Sequence, residues 1–215
     1  MFGSGDIAQL AHYYFTTDSE LEVCAFTVDR AYLGPEGRFE GLPLVAFEEV
    51  ECLYPPSDFD MFVAVSYAQM NRLRQRKFEQ ALHKGYRLRS YISSRCSYLS
   101  QFAPGPNAFI LEDNTVQPFV KIGDNVTLWS GNHVGHHSLV GSHTFVSSQV
   151  VIAGHCSIGT NCFLGVNATL AHGVTLAPET LLGAGATVTR DTEPKGVYLP
   201  ARSVKIDRTS DQIDL

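Results

Sequence analysis

Taken six residues at a time from Ile110, the chain meets only aliphatic side chains: Val116, Ile122, Leu128, Val134, Val140, Val146, Ile152, Ile158, Leu164, Leu170, Leu176, Leu182 and Val188. Ile, Val and Leu make up roughly a quarter of an ordinary chain, so fourteen such residues in one register do not arise by chance. Two places before the aliphatic the residue is usually small or β-branched, as at Ala108, Val120, Val126, Ser138, Thr144 and Cys156. Glycine often follows the aliphatic, as at Gly123, Gly135, Gly141, Gly159, Gly165 and Gly183. An amphipathic helix would repeat near 3.6 and a half-buried strand near 2. A strict six reads as a short strand with a corner built in, three such hexads closing a triangular coil with the aliphatics inward and the glycines easing the corners. The pattern predicts an all-β, left-handed parallel β-helix over residues 108–205. At eighteen residues per coil, residues eighteen apart stack in one column.

Residues 1–101 lack this register and read as a small Rossmann-like α/β domain. Gly3-Ser4-Gly5-Asp6-Ile7-Ala8 opens a helix through about Tyr14. Leu21–Val28, Leu42–Ala46, Met61–Val65 and Tyr86–Ile92 read as strands, and Met70–Lys84 as a basic amphipathic helix whose Arg72, Arg74, Arg76 and Lys77 form a solvated face. Gly3-x-Gly5-x-x-Ala8, followed some twenty residues later by Asp29 at a strand end, follows the logic of a nucleotide-diphosphate site: glycines let backbone N–H groups reach phosphate, and the acid takes a hydroxyl or base. Gly3, Gly5, Asp6 and Asp29 are therefore candidate substrate ligands. Only Met1 and Phe2 precede Gly3, so the first strand of this domain is expected to be missing. Phe102–Asn107, with Pro104 and Pro106, reads as a linker.

The formal charge of −6 lacks the basic excess a nucleic-acid partner requires. No apolar run is long enough to span a bilayer and no leader pattern is present, so a cytoplasmic protein without membrane insertion is expected. Five cysteines without C-x-x-C spacing suggest buried small side chains rather than disulfides or structural zinc. Five of the eight histidines fall between His133 and His155, which composition does not explain.

These halves together resemble the NeuD-type sugar O-acyltransferases, which include nucleotide-amino-sugar N-acetyltransferases. The resemblance rests on Phe2-Gly3-Ser4-Gly5-Asp6-Ile7-Ala8, Val28-Asp29, Gly131-Asn132-His133-Val134-Gly135-His136-His137, Gly154-His155-Cys156-Ser157-Ile158-Gly159, Gly183-Ala184-Gly185-Ala186 and Pro200-Ala201-Arg202. It implies transfer of an acetyl group from acetyl-CoA to an amino or hydroxyl group of a sugar, by the same resemblance a nucleotide-linked one, in bacterial surface-glycan biosynthesis. It further implies a homotrimer with the cofactor between neighbouring β-helices and no required metal. By resemblance, His136 is the general base and the Gly154 N–H the oxyanion donor. Where the family carries an acid that orients the base, His137 stands. A second family histidine near the acetyl group is replaced by Phe145. Phe145, Gly154, Gly165, Ala184 and Arg202 are the cofactor-binding candidates, with Lys205 beside them, and Trp129 is expected at or near a subunit interface. An imidazole with an ordinary pKa of about 6.5 suits proton abstraction at neutral pH.

Two other readings stand beside this one. A γ-class carbonic-anhydrase-like zinc enzyme uses the same β-helix, but its histidine pair is five apart and no two histidines here are. A β-helix that binds a sugar nucleotide without catalysis would have no use for His136 and Gly154 together.

Overall fold

In the computed structural model, which describes residues 1–213, each of the fourteen aliphatics ends a two-residue strand and is at most 6% exposed. From Tyr91 to Leu170 each strand pairs in parallel with the one eighteen residues on, as His133 with Val151 and Val134 with Ile152, and Leu181–Leu182 pairs with Val197–Tyr198. The chain thus builds the three faces of a left-handed β-helix, with seven, six and four strands among the described residues. Burying each such side chain contributes about 1.5–3 kcal/mol, and each coil touches only its neighbours.

The corners are made three residues before each aliphatic. From Asn107 to Gly185 every sixth residue has φ between 56° and 77°, His137, His143 and His155 among them. That left-handed conformation costs a residue with a Cβ roughly 1–2 kcal/mol, least for Asn and Asp, and Asn fills four of these corners (107, 125, 161 and 167). The glycine after each aliphatic therefore does a different job from the one expected. A Cβ on Gly135 would lie 2.5 Å from the Gly154 nitrogen, and one on Gly159 2.5 Å from the Pro178 nitrogen. Close stacking of backbone on backbone between coils excludes a side chain there.

The β-helix also starts earlier than its aliphatic run. Tyr91–Ile92 pairs with Phe109–Ile110 and Ser97–Tyr98 with Thr115–Val116. Ile92 and Tyr98 keep the six-residue register and Pro104 interrupts it, while the expected linker follows the third side of the coil, Gly105 N–H donating to the Ile122 carbonyl at 3.0 Å. The last strand is Val197–Tyr198.

In the front domain, α1 (Asp6–Thr17), α2 (Val50–Leu53) and α3 (Arg72–His83) surround a small mixed sheet in which Phe26–Val28 pairs in parallel with Leu44–Ala46 and Arg38–Phe39 pairs antiparallel with Leu42–Pro43. Where the first strand was expected to be missing, a single bridging residue takes its place. Phe2 bridges Thr27 on one side and Val63 on the other; its N–H donates to the Phe62 carbonyl at 2.8 Å and the Gly3 N–H to Thr27 at 2.9 Å. Phe2 and Gly3 suffice because both neighbouring segments supply hydrogen-bond partners. Leu21–Val28 shortens to Phe26–Val28, and Met61–Val65 to isolated bridges at Met61 and Val63.

This domain docks on the seven-stranded face. Phe62 meets Phe109 at 5.4 Å, and Tyr67 packs between Phe145 at 5.0 Å and Phe163 at 4.9 Å. The basic face of α3 is solvated only in part: Arg72 and Arg76 are exposed, whereas Arg74 and Lys77 are buried. Arg74 is 2% exposed and donates to Thr127 Oγ1 at 2.5 Å and the His143 carbonyl at 2.9 Å, while Asn71 Nδ2 donates to the Cys162 carbonyl at 2.9 Å. Lys77, also buried, pairs with Asp29 at 2.5 Å. Cys156 and Cys162 are buried as expected, whereas Cys24 and Cys52 are exposed. No helix among the described residues is long and apolar enough to cross a membrane.

Candidate active site

One corner of the prism, after the strand His133–Val134 and its counterparts one and two coils on, collects His136, His137, Gly154, His155 and His172. The eighteen-residue column sets His136 directly against Gly154: an ideal Cβ built on Gly154 would lie 2.8 Å from His136 Nε2. Only glycine leaves room for the ring. The Gly154 N–H donates to no group among the described residues.

His136 is held from both ends. Its backbone N–H donates to Gln117 Oε1 at 2.8 Å, and its Nδ1 lies 3.0 Å from Nδ1 of His137. His137 is fixed in turn. It occupies a left-handed corner with φ 59°, stacks on Phe119 at 4.5 Å, and stacks on His155, one coil on, at 4.9 Å with the rings 6° from parallel. His155 sits 5.0 Å from the His136 ring and 5.2 Å from His172. Desolvation, then the neighbouring His137, His136 and His172, pushes its pKa below the usual imidazole value. Gln117 and Phe119 are site neighbours that the sequence reading did not assign, whereas the stacking of His155 on His137 follows from their eighteen-residue spacing. Residue spacing points to Phe119 as well, since 119, 137 and 155 are eighteen apart.

The remaining candidates lie elsewhere. Gly165 and Ala184 meet at a different edge of the prism, a Cβ on Gly165 coming within 2.7 Å of the Ala184 nitrogen. Arg202 and Lys205 are exposed on the segment beyond the last strand. Phe145 is no longer a cofactor candidate: it is 5% exposed and buried under the front domain against Tyr67 and Phe163. Trp129 packs on Phe145 at 5.8 Å and against the front-domain core. His143 meets Phe78 of α3 edge-on at 5.5 Å and holds Asn125 through Nδ1 at 3.0 Å, so it serves that same junction.

In the front domain, Gly5 is the N-cap of α1 and Asp6 lies in its first turn. The left-handed φ of 123° at Gly3 brings its Cα against Ala64, whose carbonyl oxygen a Cβ would meet at 2.5 Å. The Asp29 carboxylate is taken by Lys77. No hydrogen bond or ring contact joins Gly3, Gly5, Asp6 or Asp29 to the histidine corner among the described residues.

The fold is that of a left-handed β-helix built from hexapeptide repeats. Family models for the bacterial transferase hexapeptide (six repeats) and the hexapeptide repeat of succinyl-transferase match residues 119–154 and 156–190. Among solved structures, PerB from Caulobacter crescentus, in complex with CoA and GDP-perosamine, superposes with TM-score 0.79 at 24% identity, covering 93% of this chain and 92% of that one. The acetyltransferase domain of PglB from Neisseria gonorrhoeae gives 0.80 at 22% identity, covering 93% and 94%. WeeI from Acinetobacter baumannii gives 0.62 at 17% identity, covering 86% and 93%. No curated protein sequence matches the chain. At these identities the likeness is one of fold.

Proposed function

We propose that this protein is an acetyl-CoA-dependent sugar N- or O-acetyltransferase of the NeuD type, acting on a nucleotide-linked sugar in glycan biosynthesis and working as a homotrimer. The observation that carries the reading is His136 held through Nδ1 with its Nε2 over Gly154, beside a backbone N–H free to bind an oxyanion. The same fold in PerB holds CoA and GDP-perosamine, and in the PglB domain acetyl coenzyme A.

A base working through Nε2 must carry its other proton on Nδ1, and that proton needs an acceptor. His137 Nδ1 is the acceptor within reach, which requires His137 to be neutral with its proton on Nε2. It takes the place of the family's carboxylate. His136 Nε2 removes the proton of the sugar amine or hydroxyl as that group attacks the thioester carbonyl. The new C–N or C–O bond leaves an oxyanion, which the Gly154 N–H stabilises; one such donor is worth ~3 kcal/mol of barrier. Collapse breaks the C–S bond, and the departing thiolate takes the proton from the His136 imidazolium.

A single chain holds this machinery on one edge and the cofactor candidates Gly165 and Ala184 on another. Side-by-side packing of β-helices brings unlike edges together, which supports a groove shared between subunits. The nucleotide end of the acceptor belongs to the front domain, where the N-terminus of α1 at Gly5 offers unpaired N–H groups to phosphate.

The decisive experiment is thiol release from acetyl-CoA with UDP-, GDP- and dTDP-amino sugars and free sialic acid. His136→Ala should lose roughly 10²- to 10⁴-fold in turnover with acetyl-CoA affinity little changed, and His137→Ala should lose less. Full activity of His136→Ala would sink the assignment.

A further inference from the structure

His155 has no part in the reaction just described, yet the fold invests in it. Its φ of 60° is one that asparagine fills more comfortably at four other corners. Its ring is nonetheless retained, stacked on His137 with its edge toward His136. His136, His137 and His155 each present a ring nitrogen, all within 4.8 Å of one another. No carboxylate or cation is bonded to any of the three rings among the described residues, so their lone pairs are uncommitted beyond the 3.0 Å His136–His137 contact.

Three neutral imidazoles so placed are the donor set of borderline divalent transition metals. With Zn–N bonds of about 2.0–2.1 Å, tetrahedral ligand nitrogens stand roughly 3.3 Å apart. The His136–His137 pair is already near that spacing, and the third nitrogen reaches it by rotation of rings that face solvent. A fourth position stays open to water.

We infer that His136, His137 and His155 form a zinc-class metal site whose occupancy switches the enzyme off. The metal site stands on geometry alone; the switch rests on the acetyltransferase reading. Metal on Nε2 of His136 removes the lone pair that takes the substrate proton. Metal on Nδ1 breaks the hydrogen bond to His137 and withdraws electron density from the ring. Either way the protein loses its base while the cofactor edge is untouched.

The test uses the full chain stripped by chelator, with Zn²⁺ followed by calorimetry and Co²⁺ by visible absorption, whose d–d bands report four-coordinate nitrogen ligation. His155→Asn is the informative variant because asparagine suits the corner, and His137→Asn is the second. Wild type should bind one Zn²⁺ per chain in the micromolar range. Loss of a whole ligand in His155→Asn should weaken it by more than the roughly 10- to 100-fold that follows loss of a supporting partner. In acetyl-transfer assays Zn²⁺ should inhibit wild type reversibly, and His155→Asn should need correspondingly more Zn²⁺ to lose the same fraction of its own metal-free turnover. No Zn²⁺ binding by wild type, or equal binding by wild type and both variants, would overturn the site. Binding without inhibition would overturn the switch. Absence of acetyl transfer in metal-free wild type would sink the functional reading, while the calorimetric arm would still decide the metal site.

Discussion

Asp18 ties the end of α1 to the first coil. Its Oδ2 accepts from Tyr91 Oη at 2.6 Å, Ser93 Oγ at 3.2 Å and the Ser94 N–H at 2.9 Å. Bonds from Ser94, and then Tyr91, hold its pKa down at about 2 against an ordinary 3.8. A carboxyl depressed on folding adds stability that is fully present above the unfolded value and is lost as pH falls through the folded one. The melting-temperature gap between wild type and Asp18→Asn should therefore stay constant from neutral pH to about 5 and shrink steadily toward pH 2. A gap independent of pH would assign its role to shape rather than charge. The same care with single groups applies at the histidine corner. The eighteen-residue spacing of His136 from Gly154 and of His137 from His155 is legible in the sequence. The convergence of the rings is not, because it depends on side-chain torsions and on Phe119 stacking from the previous coil.

Helix α3 shows where reading by element fails. A run containing Arg72, Arg74, Arg76 and Lys77 has the charge density of a solvated face, and only contact with the β-helix reveals that Arg74 is a buried donor. Its Nε has no hydrogen-bond partner among the described residues, and burial lowers its pKa, so the arginine is kept for the carbonyls and hydroxyl it satisfies. Arg74→Ala should cost about 3 kcal/mol, from acceptors left unpaired and packing lost against Phe145. Hydrogen exchange should rise throughout α3 while the inner rungs stay protected; uniform exchange changes along the chain would argue against a local clamp. The rungs themselves were legible because one face of each strand must be aliphatic at every sixth residue. The corner register was hidden, since Asn, Asp, His, Gln, Glu and Phe all occupy it and share no chemistry beyond tolerating a positive φ. The bridge at Phe2 was hidden for a simpler reason: one residue is too short a segment to show any period.

At the scale of the molecule, the front domain covers one face of the prism and leaves the other two bare. Leu139 and Val151 point outward from those faces at 44% and 41% exposure, and the proposed homotrimer would cover them. Light scattering should give three times the 23.6 kDa chain mass, and Leu139→Glu with Val151→Glu should dissociate the assembly and abolish acetyl transfer without unfolding the coils. A stable, fully active monomer would show that one edge suffices. The three-sided winding also limits how such a chain can change length. Losing six residues between 137 and 153 would leave a sequence still able to wind, but every downstream group would turn by a third of a revolution and Gly154 would leave the edge that carries His136. Losing or gaining eighteen elsewhere in the coil would return all later columns to their places. Insertions and deletions in this half of the molecule are therefore quantised, with whole coils as the unit that preserves chemistry and single hexads as the unit that preserves only the fold.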